Sequence, residues 1–184
     1  RYQSHLISIT LIKMLNKKVN KFLKDLIPLY LMGTCDTDLL VSKNCTKELL
    51  ECFNNDQKKI DTLWIAFYEQ ILNVCKQVIV IEEIDTLSDE RYTTKEESDF
   101  KYNRMLTESV NLIILLLKSH PDKIEEYAET YYDILSSEGL WKNINLNSFH
   151  HAKLFEILLE LTIILYDIKY LKKNKDILKM IVRR

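Results

Sequence analysis

Apolar residues recur at three- and four-residue spacing along most of the chain, which is the period of an amphipathic helix. Leu154, Leu158, Leu161 and Leu165 make one such face, Met105, Leu112 and Leu116 a second, and Leu63, Phe67, Ile71 and Val74 a third. Start and stop signals between these faces predict about eight helices. The first spans 2–16 and stops at Asn16-Lys17-Lys18; the second spans 19–32 and ends at Gly33, with Pro28 as a kink. Asp36 or Thr37 is the expected cap of the third, which runs to Phe53. Asn54-Asn55-Asp56 forms a turn, and Asp56 caps a long fourth helix reaching about Val80. A loop follows over 81–93. Thr94 and Glu97 then have the spacing of a capping box, opening a fifth helix that runs to Lys118 and is broken by His120-Pro121. A sixth helix is expected over 122–136, an irregular connection with Gly139 and Trp141 over 136–148, a seventh helix over 149–168, and an eighth from 172 to the end.

Short polar turns join these helices as antiparallel hairpins, and eight are too many for a four-helix core. The expected fold is all-α: a HEAT-like α-solenoid with degenerate repeats, favoured over a closed bundle, in one domain covering 1–184. Composition agrees. The chain has two Gly and two Pro, where average usage at this length gives about 13 and about 9. A β-sandwich needs tight turns, and hence glycine, far more often.

The longest wholly apolar run is 112–117, against about 20 residues for a membrane span. No membrane segment and no leader pattern is expected. Cys35, Cys45, Cys52 and Cys75 contain no Cys-x-x-Cys pair. They are expected as buried reduced thiols, which suits the cytoplasm. The chain starts at Arg1 rather than Met and is expected to be a piece of a larger protein.

The net charge is −1, which alone predicts no polyanion binding. Its distribution says more. In stacked hairpins alternate turns share an edge, so the turns at 17–18, 54–56, 119–121 and 169–171 fall together. That edge carries Lys17, Lys18, Lys21, Lys58, Lys59, Lys118, Lys123, Lys169, Lys172 and Lys173 with few acids. The opposite edge, at 33–36, 81–93 and 137–148, is acidic. Two readings of the lysines stand open: solvated helix ends that complement the helix dipole, or a rim that contacts phosphates. The loop residues Asp89, Glu90, Arg91 and Tyr92 have two readings as well. They cap and pair locally, Arg91 with Glu90 or Glu83, or they are presented to a partner on a rigid scaffold.

Catalytic chemistry has little to work with. Gly33 and Gly139 cannot build a phosphate loop. His150 and His151 are adjacent, point about 100° apart on a helix, and are expected at a cap or on the surface. Asp85, Asp89 and Glu90 lack the spacing of a calcium hand, and no Cys/His grid supports zinc. Neither catalytic residues, nor metal, nor cofactor is expected here.

Several segments carry a resemblance. Thr86-Leu87-Ser88-Asp89-Glu90-Arg91-Tyr92 and the run from Lys95 to Arg104 resemble the N-terminal domain of listerin, the RING-type E3 ubiquitin ligase of ribosome-associated quality control. The run from Lys21 to Pro28, the turn Leu31-Met32-Gly33-Thr34-Cys35-Asp36, and Leu49 to Phe53 leading to Trp64 and Glu69 fit the same family. The Lys- and Asn-rich style looks like the budding-yeast members. The resemblance is clear over 1–137 and weaker beyond Ser137. It implies a non-catalytic HEAT-like domain that docks on large ribosomal subunits holding an obstructed peptidyl-tRNA. Its implied partners are rRNA and ribosomal protein, and a homologue of nuclear export mediator factor. A distant RING, with its own zinc, would engage the ubiquitin-conjugating enzyme and direct ubiquitin to the nascent chain. This chain holds no RING, and Arg1 sits where a HEAT repeat places an arginine. The alternative is a scaffold segment of another large HEAT protein with only protein partners.

Overall fold

The computed structural model describes residues 1–15, 21–89, 91–142 and 149–182. These residues are helical with no strand among them. They fall into two compact units, 1–74 and 75–184.

In the first unit, α1 (Tyr2–Leu15), α2 (Leu23–Thr34) and α3 (Leu39–Cys52) pack on one another, and α4 (Gln57–Ala66) adjoins α3. The core forms around Ile9, Ile27, Leu31, Cys45 and Leu49, all buried. Tyr30 crosses from α2 to α3, where its hydroxyl donates to the Cys45 carbonyl at 2.8 Å. Gly33 lies inside α2, not at its end, and its role is contact: a Cβ there would meet the His5 ring of α1 at 2.8 Å. The cap of α3 is Asp38, which accepts from the Leu40 and Val41 amides at 2.9 and 3.5 Å. Asp36, an expected cap, is instead buried and ion-paired with Arg1 Nε at 2.9 Å. Asn54 and Asn55, both with positive φ (55° and 58°), turn the chain into α4. Asparagine tolerates that left-handed region better than most residues. Asp56 caps α4 as expected.

The expected long fourth helix is broken at Phe67, which ends α4 before α5 (Tyr68–Lys76) begins. Gln77–Ile81 then forms a π-helical turn. In the second unit the short α6 (Ile84–Leu87) interrupts the segment read as loop. It packs on α7 (Lys95–Ser119), a helix of 25 residues opened by the Thr94–Glu97 capping box. A 3-10 turn (Pro121–Ile124) precedes α8 (Ala128–Leu135) and α9 (Glu138–Lys142). α9 occupies part of the expected irregular connection, where buried Trp141 donates to the Leu135 carbonyl at 2.7 Å. α10 (Phe149–Asp167) lies along α7 with Leu154, Leu158, Leu161 and Leu165 buried, followed by α11 (Tyr170–Lys173) and α12 (Lys175–Val182). The described helices therefore number twelve rather than eight, because long apolar periods are cut into shorter rods.

Cys35, Cys45 and Cys75 are buried free thiols, and Cys52 is half-buried. Burial pushes the Cys45 thiol up to about 11. No described helix is long and apolar enough to cross a membrane.

Candidate functional site

The best-built exposed feature is the segment joining α6 to α7. Thr94 Oγ1 accepts from the Glu97 amide at 3.2 Å, and the Glu97 carboxylate accepts from the Thr94 amide at 2.8 Å. Those bonds satisfy donors that every helix start leaves unpaired, and they hold the Glu97 carboxyl below the usual glutamate range. One residue earlier, Thr93 Oγ1 donates to the Asp89 carbonyl at 2.9 Å and lies 3.1 Å from Ser98 Oγ. The Tyr92 and Thr93 amides reach the same carbonyl at 2.9 and 3.0 Å. At the other end, Lys101 of α7 donates through Nζ to the Leu87 carbonyl.

Asp89 organises what lies between. Its carboxylate accepts from the Arg91 amide and Nε, both at 3.0 Å, and from Nη2 at 2.7 Å. The Arg91 side-chain bonds, and then its amide, depress the Asp89 carboxyl, and the same contact raises Arg91. The expected partner of Arg91 was Glu90 or Glu83; Asp89 takes that place, and Glu90 lies outside the described residues. The Arg91 guanidinium in turn sits over the Tyr92 ring, 5.6 Å from its centroid. Tyr92 is 81% exposed. The loop thus pairs locally and is also presented to solvent, with a cation and an aromatic face side by side. Such a pair fits a phosphate, a carboxylate or a flat ring.

Beside the loop runs a cleft of about 850 Å³, whose lining includes Glu82, Asp85, Ser98, Tyr102 and Gly139. Glu82 accepts from Thr86 Oγ1 at 2.5 Å and Gln77 Nε2 at 3.0 Å, which lower its carboxyl. A smaller cavity of about 290 Å³ brings Asp99 and His151 together, with Asp99 Oδ2 3.4 Å from His151 Nε2. His151 is therefore buried, not a surface or capping residue. Nothing in local spacing links these two residues, since they sit on α7 and α10. The His150 side chain lies outside the described set.

The basic candidates are less organised. Lys17 and Lys18 lie outside the described residues. Lys21 is exposed over the Phe22 ring, 4.7 Å from its centroid. Lys58 and Lys59 are exposed in the first turn of α4, where Asp56 accepts both amides. That is the positive end of the helix dipole, so they do not complement it as expected. In the second unit, several rim lysines have acidic partners: Lys118 with Glu160 at 2.6 Å, Lys123 with Glu126 at 2.5 Å, and Lys173 with Glu125. Counting charge near turns missed these partners, two of which come from distant positions.

A family model for the N-terminal domain of the E3 ubiquitin-protein ligase listerin matches residues 1–183. The chain is 46% identical to listerin of Saccharomyces cerevisiae over all 184 residues, covering 12% of that protein. It is 33% identical to listerin of Neurospora crassa over 141 residues, or 77% of this chain and 9% of that one. With listerin of Gallus gallus it shares 31% over 134 residues, 72% of this chain and 7% of that one. The chain thus spans 12% or less of the length of these relatives. The likeness to the yeast protein continues through 138–184, where the sequence resemblance looked weaker.

Proposed function

We propose a docking role for this chain, which belongs to the E3 ubiquitin-protein ligase listerin family and matches that family's N-terminal domain. It attaches the ligase to large ribosomal subunits that retain an obstructed nascent chain, in the cytoplasm, so that a RING elsewhere in the polypeptide reaches the target. The arrangement of the whole is a HEAT-like solenoid. Zinc belongs to the RING; among the described residues no group of three His, Cys, Asp or Glu is placed to hold a metal ion.

One observation carries this reading: Asp89 fixes Arg91 while Arg91 and Tyr92 stay exposed. A surface loop that is both rigid and open loses little entropy on contact with a partner. Lys21, Lys58 and Lys59 supply supporting positive charge, with Lys17 and Lys18 alongside in sequence. The acid-paired lysines of the second unit favour a contact that is not purely a phosphate rim, so ribosomal protein or the homologue of nuclear export mediator factor shares the surface with rRNA.

Co-sedimentation with purified large subunits across a salt titration tests the proposal. Binding weakened by R91E with Y92A, and a flatter salt dependence after charge reversal at Lys17, Lys18 and Lys21, is the expected result. Unchanged binding in both variants would return the chain to the scaffold reading with only protein partners.

A further inference from the structure

Helix α10 has two apolar faces, and its packing against α7 accounts for one of them. Each residue of an α-helix advances about 100° around the axis. On that wheel Leu154, Ile157, Leu158, Leu161 and Leu165 form one sector, none more than 4% exposed. Lys153, Glu156, Glu160 and Asp167 form a second, where Lys153 meets Glu156 at 2.9 Å and Glu160 meets Lys118 at 2.6 Å. The third sector holds Phe155, Leu159, Ile163 and Tyr166, exposed by 39%, 50%, 61% and 74%. Ala152 and Thr162 complete it, so it carries no charge. A solvent-facing sector ordinarily holds the charged residues. Here they are confined to the sector beside it.

The strip is about 17 Å long at 1.5 Å per residue. It offers roughly 450 Å² of apolar surface, taking about 200 Å² for a fully exposed large side chain. A stable complex between separate proteins needs about 800 Å² from each partner. The strip falls short of that, yet suffices for a segment of the same polypeptide, whose tether supplies a high effective concentration. The relatives have such polypeptide: the yeast protein is matched over 12% of its length by a domain described as N-terminal.

We propose that the Phe155–Leu159–Ile163–Tyr166 face of α10 seats an amphipathic helix of the same polypeptide that follows residue 184. That helix lays apolar residues at three- and four-residue spacing along the strip. Losing the loop's docking activity would leave this face untouched.

The test is I163C labelled with a maleimide and mapped by mass spectrometry, in the 184-residue chain and in the full-length polypeptide. Fast labelling in the first and about 100-fold slower labelling in the second is expected, since a seated helix must open locally before reaction. Equal rates overturn the proposal. Protection that grows with concentration of the 184-residue chain overturns it in favour of a second copy. Protection of the full-length polypeptide only when another protein is added overturns it in favour of a separate partner. As a second variant, L159E with I163E should shift the melting temperature of the 184-residue chain by no more than about 2 °C. In the full-length polypeptide it should open a protease site shortly after residue 184. Unchanged proteolysis also overturns the proposal.

Discussion

The ring of His5 stands 2.8 Å from where a Cβ on Gly33 would sit, so α1 and α2 approach as closely as a missing side chain permits. His5 also meets Tyr30 edge-on, with ring centroids 6.0 Å apart. G33A would drive the imidazole away from that contact. The helix itself would gain from alanine, by about 1 kcal/mol of propensity, but overpacking costs about 1–3 kcal/mol. A net loss of stability in urea denaturation is expected, and G33A with H5A should restore part of it.

Tyr30 is 1% exposed and donates to a backbone carbonyl. Y30F should cost about 1 kcal/mol, the net value of one such bond. Burial, more than the neighbouring Cys45, raises the phenol well above its ordinary value. A folded pKa above the unfolded one contributes stability that is complete below about pH 10. That contribution is lost as pH climbs toward the folded value. Alkaline melting curves should therefore show wild type converging on Y30F above that pH, while a constant gap between them would contradict the buried-phenol account.

T94A removes an N-cap and should destabilise the protein by about 1 kcal/mol. The Glu97 carboxyl is depressed chiefly by the Thr94 amide. Its contribution is present above the ordinary glutamate range and disappears as pH falls through the depressed folded value. Hydrogen exchange at the first turn of α7 should accelerate in acid for wild type, and already be fast at neutral pH in T94A.

R91A and Y92A remove exposed groups and should shift stability by no more than about 0.5 kcal/mol. D89A is different, because Asp89 closes the loop through its carboxylate as well as its carbonyl. Faster exchange of the Arg91 amide is expected in D89A, and subunit binding should fall in all three variants. Equal binding in R91A and wild type would remove the loop from the docking surface.

What could be read from sequence was whatever acts over three or four residues. The Thr94–Glu97 box, the Asp56 cap and the His120-Pro121 stop are chemistry between near neighbours, and the structure has each in place. The break at Phe67 carries no Gly or Pro, and the apolar period runs straight through it. Asp36 looked as good a cap as Asp38 until Arg1, far off in sequence, took it into an ion pair. Of the candidate site, the loop's position was legible, and so was the chance that Arg91 pairs within it. The choice of Asp89 as partner depends on how the backbone turns, and Glu160 as the partner of Lys118 depends on α10 lying against α7.

The wide turn at Gln77–Ile81 holds one residue more than an ordinary helical turn would. Val78 and Ile79 point inward there, Val80 and Ile81 outward, and Glu82 follows directly at the wall of the cleft. Deleting a single residue from this turn would let the rod wind regularly and swing everything after it by about a quarter of a revolution. The acidic wall would then face another way while the helices on either side kept their form. Shortening the chain by one position would thus re-aim a surface without unfolding it, which makes this turn the place where small insertions and deletions alter what the cleft admits.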